Sequence, residues 1–229
     1  MENKTGKYLK YAVGEIILVV IGILIALQIN NWNETNKAKV NERELLTYVL
    51  ENIKTDSISI DSIISRSDRV LMVQQNLIKL SNGELRSHEV GNLDLLRSSE
   101  PNQTVTKKNN PNLANEVRSQ DLKKIILNYF LALDWLEFTI ETNNEIIETK
   151  IRPFLGEKKL LNYGNQLETN LNRLNLINSE MFYEEFQKEE LRQLLFESGI
   201  KLRIMKLNAQ RTMLKNIELK NDINNYLKT

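Results

Sequence analysis

Three rhythms of apolar and polar residues run along this chain, and each predicts a different element. The first is a near-continuous apolar stretch from Ala12 to Ile29, carrying one charge, Glu15, before Gln28. At about 1.5 Å per helical residue it spans roughly 27 Å, close to the hydrocarbon thickness of a bilayer. Tyr8 and Tyr11 precede it and Trp32 follows, placed where aromatic side chains settle at headgroup level. A transmembrane helix is expected over 11–32.

The second rhythm is a spacing of three and four residues, which marks one face of a helix. It holds from Glu44 to Leu80 through Leu46, Val49, Leu50, Ile53, Ile60, Ile63, Ile64, Val70, Leu71, Leu77 and Ile78. Such a helix is roughly 50–60 Å long, and Ser81-Asn82-Gly83 ends it, with Gly83 suited to a left-handed position. The rhythm returns over Asp121–Ile151 through Leu122, Ile125, Ile126, Tyr129, Leu133, Leu136, Ile140 and Ile147. Ser119 is its expected N-cap, Asp121 favours its N-terminus, and Arg152-Pro153 its expected stop. Trp135 and Phe138 read as core anchors of this helix.

A shorter helix is expected from Leu160, Leu161, Leu167, Leu171 and Leu174, after a turn at Gly156 and the Lys158-Lys159 pair, and Ser179–Phe186 as a turn or short helix. The last long helix runs from about Lys188 to Leu227 through Leu191, Leu194, Leu195, Leu202, Met205, Met213, Ile217 and Ile223. Gly199 need not break it, because a mid-helix glycine costs only about 1 kcal/mol.

The third rhythm is none at all. Residues 84–118 have no sustained period and hold Pro101 and Pro111, apart from a short helix expected around Asn92–Arg97. Beyond Asn33 no Gly or Pro occurs until Gly83, so the apolar helix could run on into the next. Against that, Asn30, Asn31, Asn33 and Asn36 are poor helix formers that weaken the junction, and Asn41-Glu42-Arg43-Glu44 resembles a capping box suited to a fresh start. No run shows the period of two expected of a strand. The fold class is therefore all-α: an N-terminal transmembrane helix followed by an extracytoplasmic bundle of long amphipathic helices.

Charge gives the anchor a direction. Lys4, Lys7 and Lys10 face a single acid, Glu2, before the apolar stretch. A basic start also opens a cleavable signal, but that requires a short apolar core and then small residues. Here bulky polar residues follow, so the stretch reads as an uncleaved anchor. The positive-inside rule puts 1–10 in the cytoplasm and 33–229 outside it, in the periplasm of a bacterium. Roughly 190 residues then remain for the bundle, enough for one core.

Composition removes several chemistries. With 31 basic and 30 acidic residues, net charge +1, the chain lacks the basic excess of a nucleic-acid binder. It has no cysteine, which removes disulfides, thiolate metal sites and a Cys nucleophile. His88, the only histidine, reads as an exposed loop residue, so no zinc site of the usual ligands can be built. Glu141, Glu145 and Glu148 lack the Glu-x-x-His partner of a di-iron bundle and read as a solvated face. So does the basic row Lys201, Arg203, Lys206, Arg211, Lys215 and Lys220. No phosphate loop, dinucleotide fingerprint or nucleophile elbow occurs, and no cofactor is expected.

The string KYLKYAVGEIILVVIGILIALQINNWNE, Lys7–Glu34, resembles the opening of a large uncharacterised membrane-protein family from Bacteroidota, particularly flavobacteria. Gly14-Glu15 and the tail Gln28-Ile29-Asn30-Asn31-Trp32-Asn33-Glu34 carry the likeness, which extends to Ala114–Phe130. It implies a bacterial inner-membrane protein and no assigned activity.

Candidate functional residues thus lie in the anchor. A carboxylate in a membrane segment, Glu15, is a functional hypothesis; its ordinary reading is an interfacial acid paired near the headgroups. Gly14, Gly22 and Ala26 offer small surfaces, with Gly22 and Ala26 spaced to let two membrane helices approach closely. Tyr11 and Trp32 mark the two interfaces. The expected role is non-enzymatic: a membrane-anchored scaffold, accessory subunit or interaction module, contacting the bilayer and forming a homo-oligomer or pairing with another membrane protein, without nucleic acid. The alternatives are an ion-coupled subunit using Glu15 and a periplasmic ligand-sensing bundle.

Overall fold

A computed structural model describes the backbone of residues 4–167 and 175–228, with side chains described over 13–165 and 175–228. It is all-α; among the described residues the only β feature is an isolated bridge between Leu161 and Ile177. The helices are α1 (Lys4–Ser81), α2 (Thr106–Asn109), α3 (Leu113–Glu116), α4 (Gln120–Ile146), α5 (Arg152–Glu157), α6 (Ser179–Phe186) and α7 (Glu189–Lys228). The chain divides into two compact units, Met1–Tyr48 and Val49–Thr229.

In the first unit, α1 carries the apolar stretch, and every side chain from Val13 to Glu34 is exposed. Of the two courses open at the junction, the chain takes the unbroken one. Residues 30–44 are helical throughout, and Asn41 to Glu44 lie inside the helix and not at a new start. Each Asn costs only a few tenths of a kcal/mol relative to a good helix former, and without Gly or Pro nothing ends the ladder. An exposed Lys37–Glu34 pair at 3.3 Å adds slight local support.

In the second unit, α1, α4 and α7 form a three-helix seam. On α1 the buried positions Val49, Ile53, Asp56, Ile60, Ile63, Ser67, Val70, Gln74 and Leu77 follow alternating steps of four and three. On α7 the same steps bury Leu195, Ser198, Leu202, Met205, Ala209, Thr212, Asn216, Leu219 and Ile223. The two helices run antiparallel, with Asn216 meeting Ile53 and Lys206 meeting Asp68. α4 is antiparallel to α7 as well, since the Thr212 hydroxyl donates to the Ala132 carbonyl at 3.1 Å. α1 and α4 are therefore parallel, and residues 82–119 return the chain along the seam. That return is a packed strap, not a free loop: Val90, Leu93, Leu96, Leu113 and Val117 are buried. Its 3₁₀ turn Leu93–Arg97, capped by Asn92, is the short helix expected there.

Helix ends explain the other differences from expectation. Ser119 caps α4 as expected, and Gly83 takes a left-handed φ of 75°. Pro153 does not stop the second long helix. A π-helical turn over Ile147–Ile151 widens the ladder, and Pro153 enters in the first turn of α5, where its missing N–H costs nothing. The inserted residue moves the seam by one position, so Ile151 is buried after Ile147. The turn expected at Gly156 and the Lys158-Lys159 pair falls on the two lysines, with Lys159 at φ 58°; its N–H donates to the Gly156 carbonyl and that of Leu160 to the Leu155 carbonyl.

The short helix expected from Leu160 is replaced by extended residues and a 3₁₀ turn, Tyr163–Leu167; Leu171 and Leu174 lie outside the described residues. The Asp94 carboxylate holds the extended piece, accepting N–H bonds from Leu176 and Ile177 at 2.9–3.0 Å. Trp135 and Phe138 are not core anchors. Both are more than half exposed and meet edge to face at 6.0 Å, because each lies about 100° or more around α4 from the Leu133–Leu136–Ile140 seam. Ile78 and Ile217 are likewise exposed.

Candidate functional site

The anchor residues come together only in part. At about 100° per residue, Glu15, Gly22 and Ala26 fall within roughly 40° of one another on the helix surface, while Gly14 is about 100° away. A Cβ added at Gly14 or Gly22 would meet nothing within 4 Å. Glu15 has no ion pair or hydrogen bond among the described residues, and Trp32 is exposed. The Tyr11 side chain lies outside the described residues. This stripe is exposed and carries two small residues, one carboxylate, and the larger Val19 and Ile29.

The second unit contains a buried polar knot that the sequence reading passed over. Asp56, wholly buried, accepts the backbone N–H of Val105 at 2.5 Å and that of Thr106 at 3.3 Å, at the start of α2. Its Oδ2 also accepts the Tyr129 hydroxyl at 2.7 Å. The Asn216 amide donates to that same phenol oxygen and to the Ile53 carbonyl, both at 2.9 Å. Burial first, then the Asp56 charge, holds the Tyr129 phenol far above its ordinary pKa of 10.0, so it stays a donor. Every element of the seam meets here. With its donors in place and no path to solvent, the carboxylate acts as a lock on the strap. Its sequence signal was an acid at a seam step, between Ile53 and Ile60.

A second polar group lies under the strap. Glu100 is buried beside Arg66, 3.4 Å away, and its backbone is paired in both directions with the Asn144 amide at 2.8 Å. Burial raises its carboxyl pKa above 4.5, with the charges of Arg66 and Arg69 opposing the shift.

A cavity of about 460 Å³ in this unit lies where α1 passes the start of α7. Gln74, Ile78, Phe186, Arg192, Phe196 and Arg203 are among its lining residues. No group of three or more His, Cys, Asp or Glu able to hold a metal occurs among the described residues. His88 is exposed in a 3₁₀ turn, Glu141 and Glu145 are exposed on α4, and Glu148 is exposed in the π-helical turn that follows it.

Together these features describe a helical-bundle protein with one helix, among the described residues, long and apolar enough to cross a membrane. Residues 15–95 match a family of unknown function (DUF6090), a match spanning most of the apolar stretch, the α1 seam and the start of the strap. No curated protein and no solved structure matches the chain.

Proposed function

We propose that this chain is a single-pass protein of a bacterial inner membrane, its N-terminal residues cytoplasmic and its helical domain periplasmic. It serves there as a non-enzymatic tether or interaction module. The observation that carries the reading is the contrast along α1. The apolar window near the N-terminus has none of its side chains buried, whereas apolar residues after Val49 are drawn into a seam. Exposed apolar surface on that scale requires lipid or protein cover. The lysines at 4, 7 and 10 support the orientation. Gly22 and Ala26, on the Glu15 stripe, favour pairing with a second copy or another membrane helix.

Fusions test this directly. Alkaline phosphatase joined after Lys228 should be active and a fluorescent protein at the same position dark. The opposite pair would reverse the topology, and release of the chain by alkaline carbonate would remove the anchor. Copurification from native membranes would identify the partner.

A further inference from the structure

We propose that the cavity between α1 and α7 binds a small organic acid, a carboxylate on an apolar or aromatic body. At about 460 Å³ it falls within the range of small-molecule sites. Ile78, Leu195, Phe186 and Phe196 give it apolar walls, Arg192 and Arg203 give it positive charge, and no Asp or Glu is among its lining residues.

One cation of the lining has no acceptor among the described residues. Arg203 makes no hydrogen bond or ion pair among the described residues, unlike neighbouring cations on the same helix: Lys201 pairs with Glu197 and Lys206 with Asp68. Gln74 occupies a seam position and is only 8% exposed, yet its Nε2 has no acceptor. A buried amide nitrogen left unpaired is destabilising.

Gly199 brings Gln74, through its amide oxygen, and Arg203 together. A Cβ there would lie 2.6 Å from the Gln74 Oε1 and 3.1 Å from the Arg203 Nη1, so the missing side chain lets amide and guanidinium approach the same patch of α7. Arg192 is held beside them: its Nε donates to the Phe186 carbonyl at 2.8 Å, its Nη2 to Gln187 Oε1 at 3.1 Å, and it stacks 5.5 Å from the Phe186 ring. A carboxylate suits this set, with its oxygens on the Arg203 fork. A single negative charge matches one free guanidinium beside one already engaged, and the apolar body lies between the two phenylalanines.

The test uses the full chain in lipid nanodiscs with methyl-labelled Ile and Leu, and 3-phenylpropionate as probe. The Ile78 and Leu195 methyl resonances should shift and saturate. The neutral analogue 3-phenylpropionamide should bind about tenfold more weakly or worse, as should Arg203→Gln, because each removes a charge-assisted bond. Arg203 is exposed and unpaired, so its variant should keep the remaining methyl spectrum. Gly199→Ala, which crowds Gln74 and Arg203, should weaken the probe independently. Absence of any shift at Ile78 and Leu195, or equal affinity for the acid and its amide, would overturn the proposal. So would affinity unchanged in both variants. Because the readout is confined to the second unit, it stands or falls separately from the membrane topology.

Discussion

The Tyr129 hydroxyl reaches Asp56 Oδ2 over 2.7 Å, and neither side chain is exposed. A buried carboxylate is tolerated only when donors replace the water it has lost. Tyr129→Phe removes one of these and strips Asn216 of an acceptor. Urea unfolding should show a loss of about 2 kcal/mol, in the range for bonds to charged groups. Asp56→Ala should cost more, since it strands the N–H groups of Val105 and Thr106 along with the phenol. Equal stability of Tyr129→Phe and wild type would mean that the lock contributes nothing.

Lys159 is a left-handed residue in a position that usually belongs to glycine. A non-glycine residue pays about 1–2 kcal/mol for that conformation. Lys159→Gly should raise the unfolding free energy by about 1 kcal/mol, after allowing for the greater freedom of glycine in the unfolded chain. The denaturant midpoint is the measurement, and a lower midpoint would refute the account of this turn.

Glu100 gives stability a pH dependence of definite sign. Its folded pKa is raised above 4.5, with burial as the largest cause. The folded state therefore holds the proton more tightly than the unfolded chain, and this contribution is lost as pH rises from about 4.5 through the folded pKa. Unfolding midpoints of wild type and Glu100→Gln, compared from about pH 4 to pH 7, should diverge in favour of the variant as pH rises. A difference independent of pH, or one that grows in favour of wild type, contradicts the burial argument.

Glu15 is the residue on which the tether and the ion-coupled alternative part. As a tether, Glu15→Gln should insert, keep its orientation and copurify with the same partners as wild type. Retained assembly with loss of a cellular function would instead favour ion coupling.

Sequence periodicity located the seam because burial on α1, α4 and α7 recurs at helical steps that apolar residues display openly. It missed the seam's polar members, Asp56, Gln74, Thr212 and Asn216, because only position marks them, and position emerges once three helices are paired. Trp135 and Phe138 misled for the converse reason: large apolar side chains suggest burial, but their angle on α4 turns them outward. The π turn at Ile147–Ile151 was hidden because a one-residue insertion leaves no composition mark, and Pro153 then resembles a stop. The cavity depends on Gly199 facing Gln74, two residues far apart in the chain whose adjacency no local pattern encodes.

The Asn216–Ile53 bond joins residues 163 positions apart, and this fixes an order of events during synthesis. α1 emerges from the ribosome long before α7. At about 5–20 residues per second, the interval is roughly 8–30 s. For that time the apolar side of α1 and the Asp56 carboxylate await their closing partner while the strap and α4 accumulate beside them. Long-range closure of this kind is slow to nucleate, so the nascent domain passes through a half-built state with an open groove the length of the seam. A chaperone that shields that groove would raise the yield of folded protein, and truncation before α7 would leave a chain prone to aggregation.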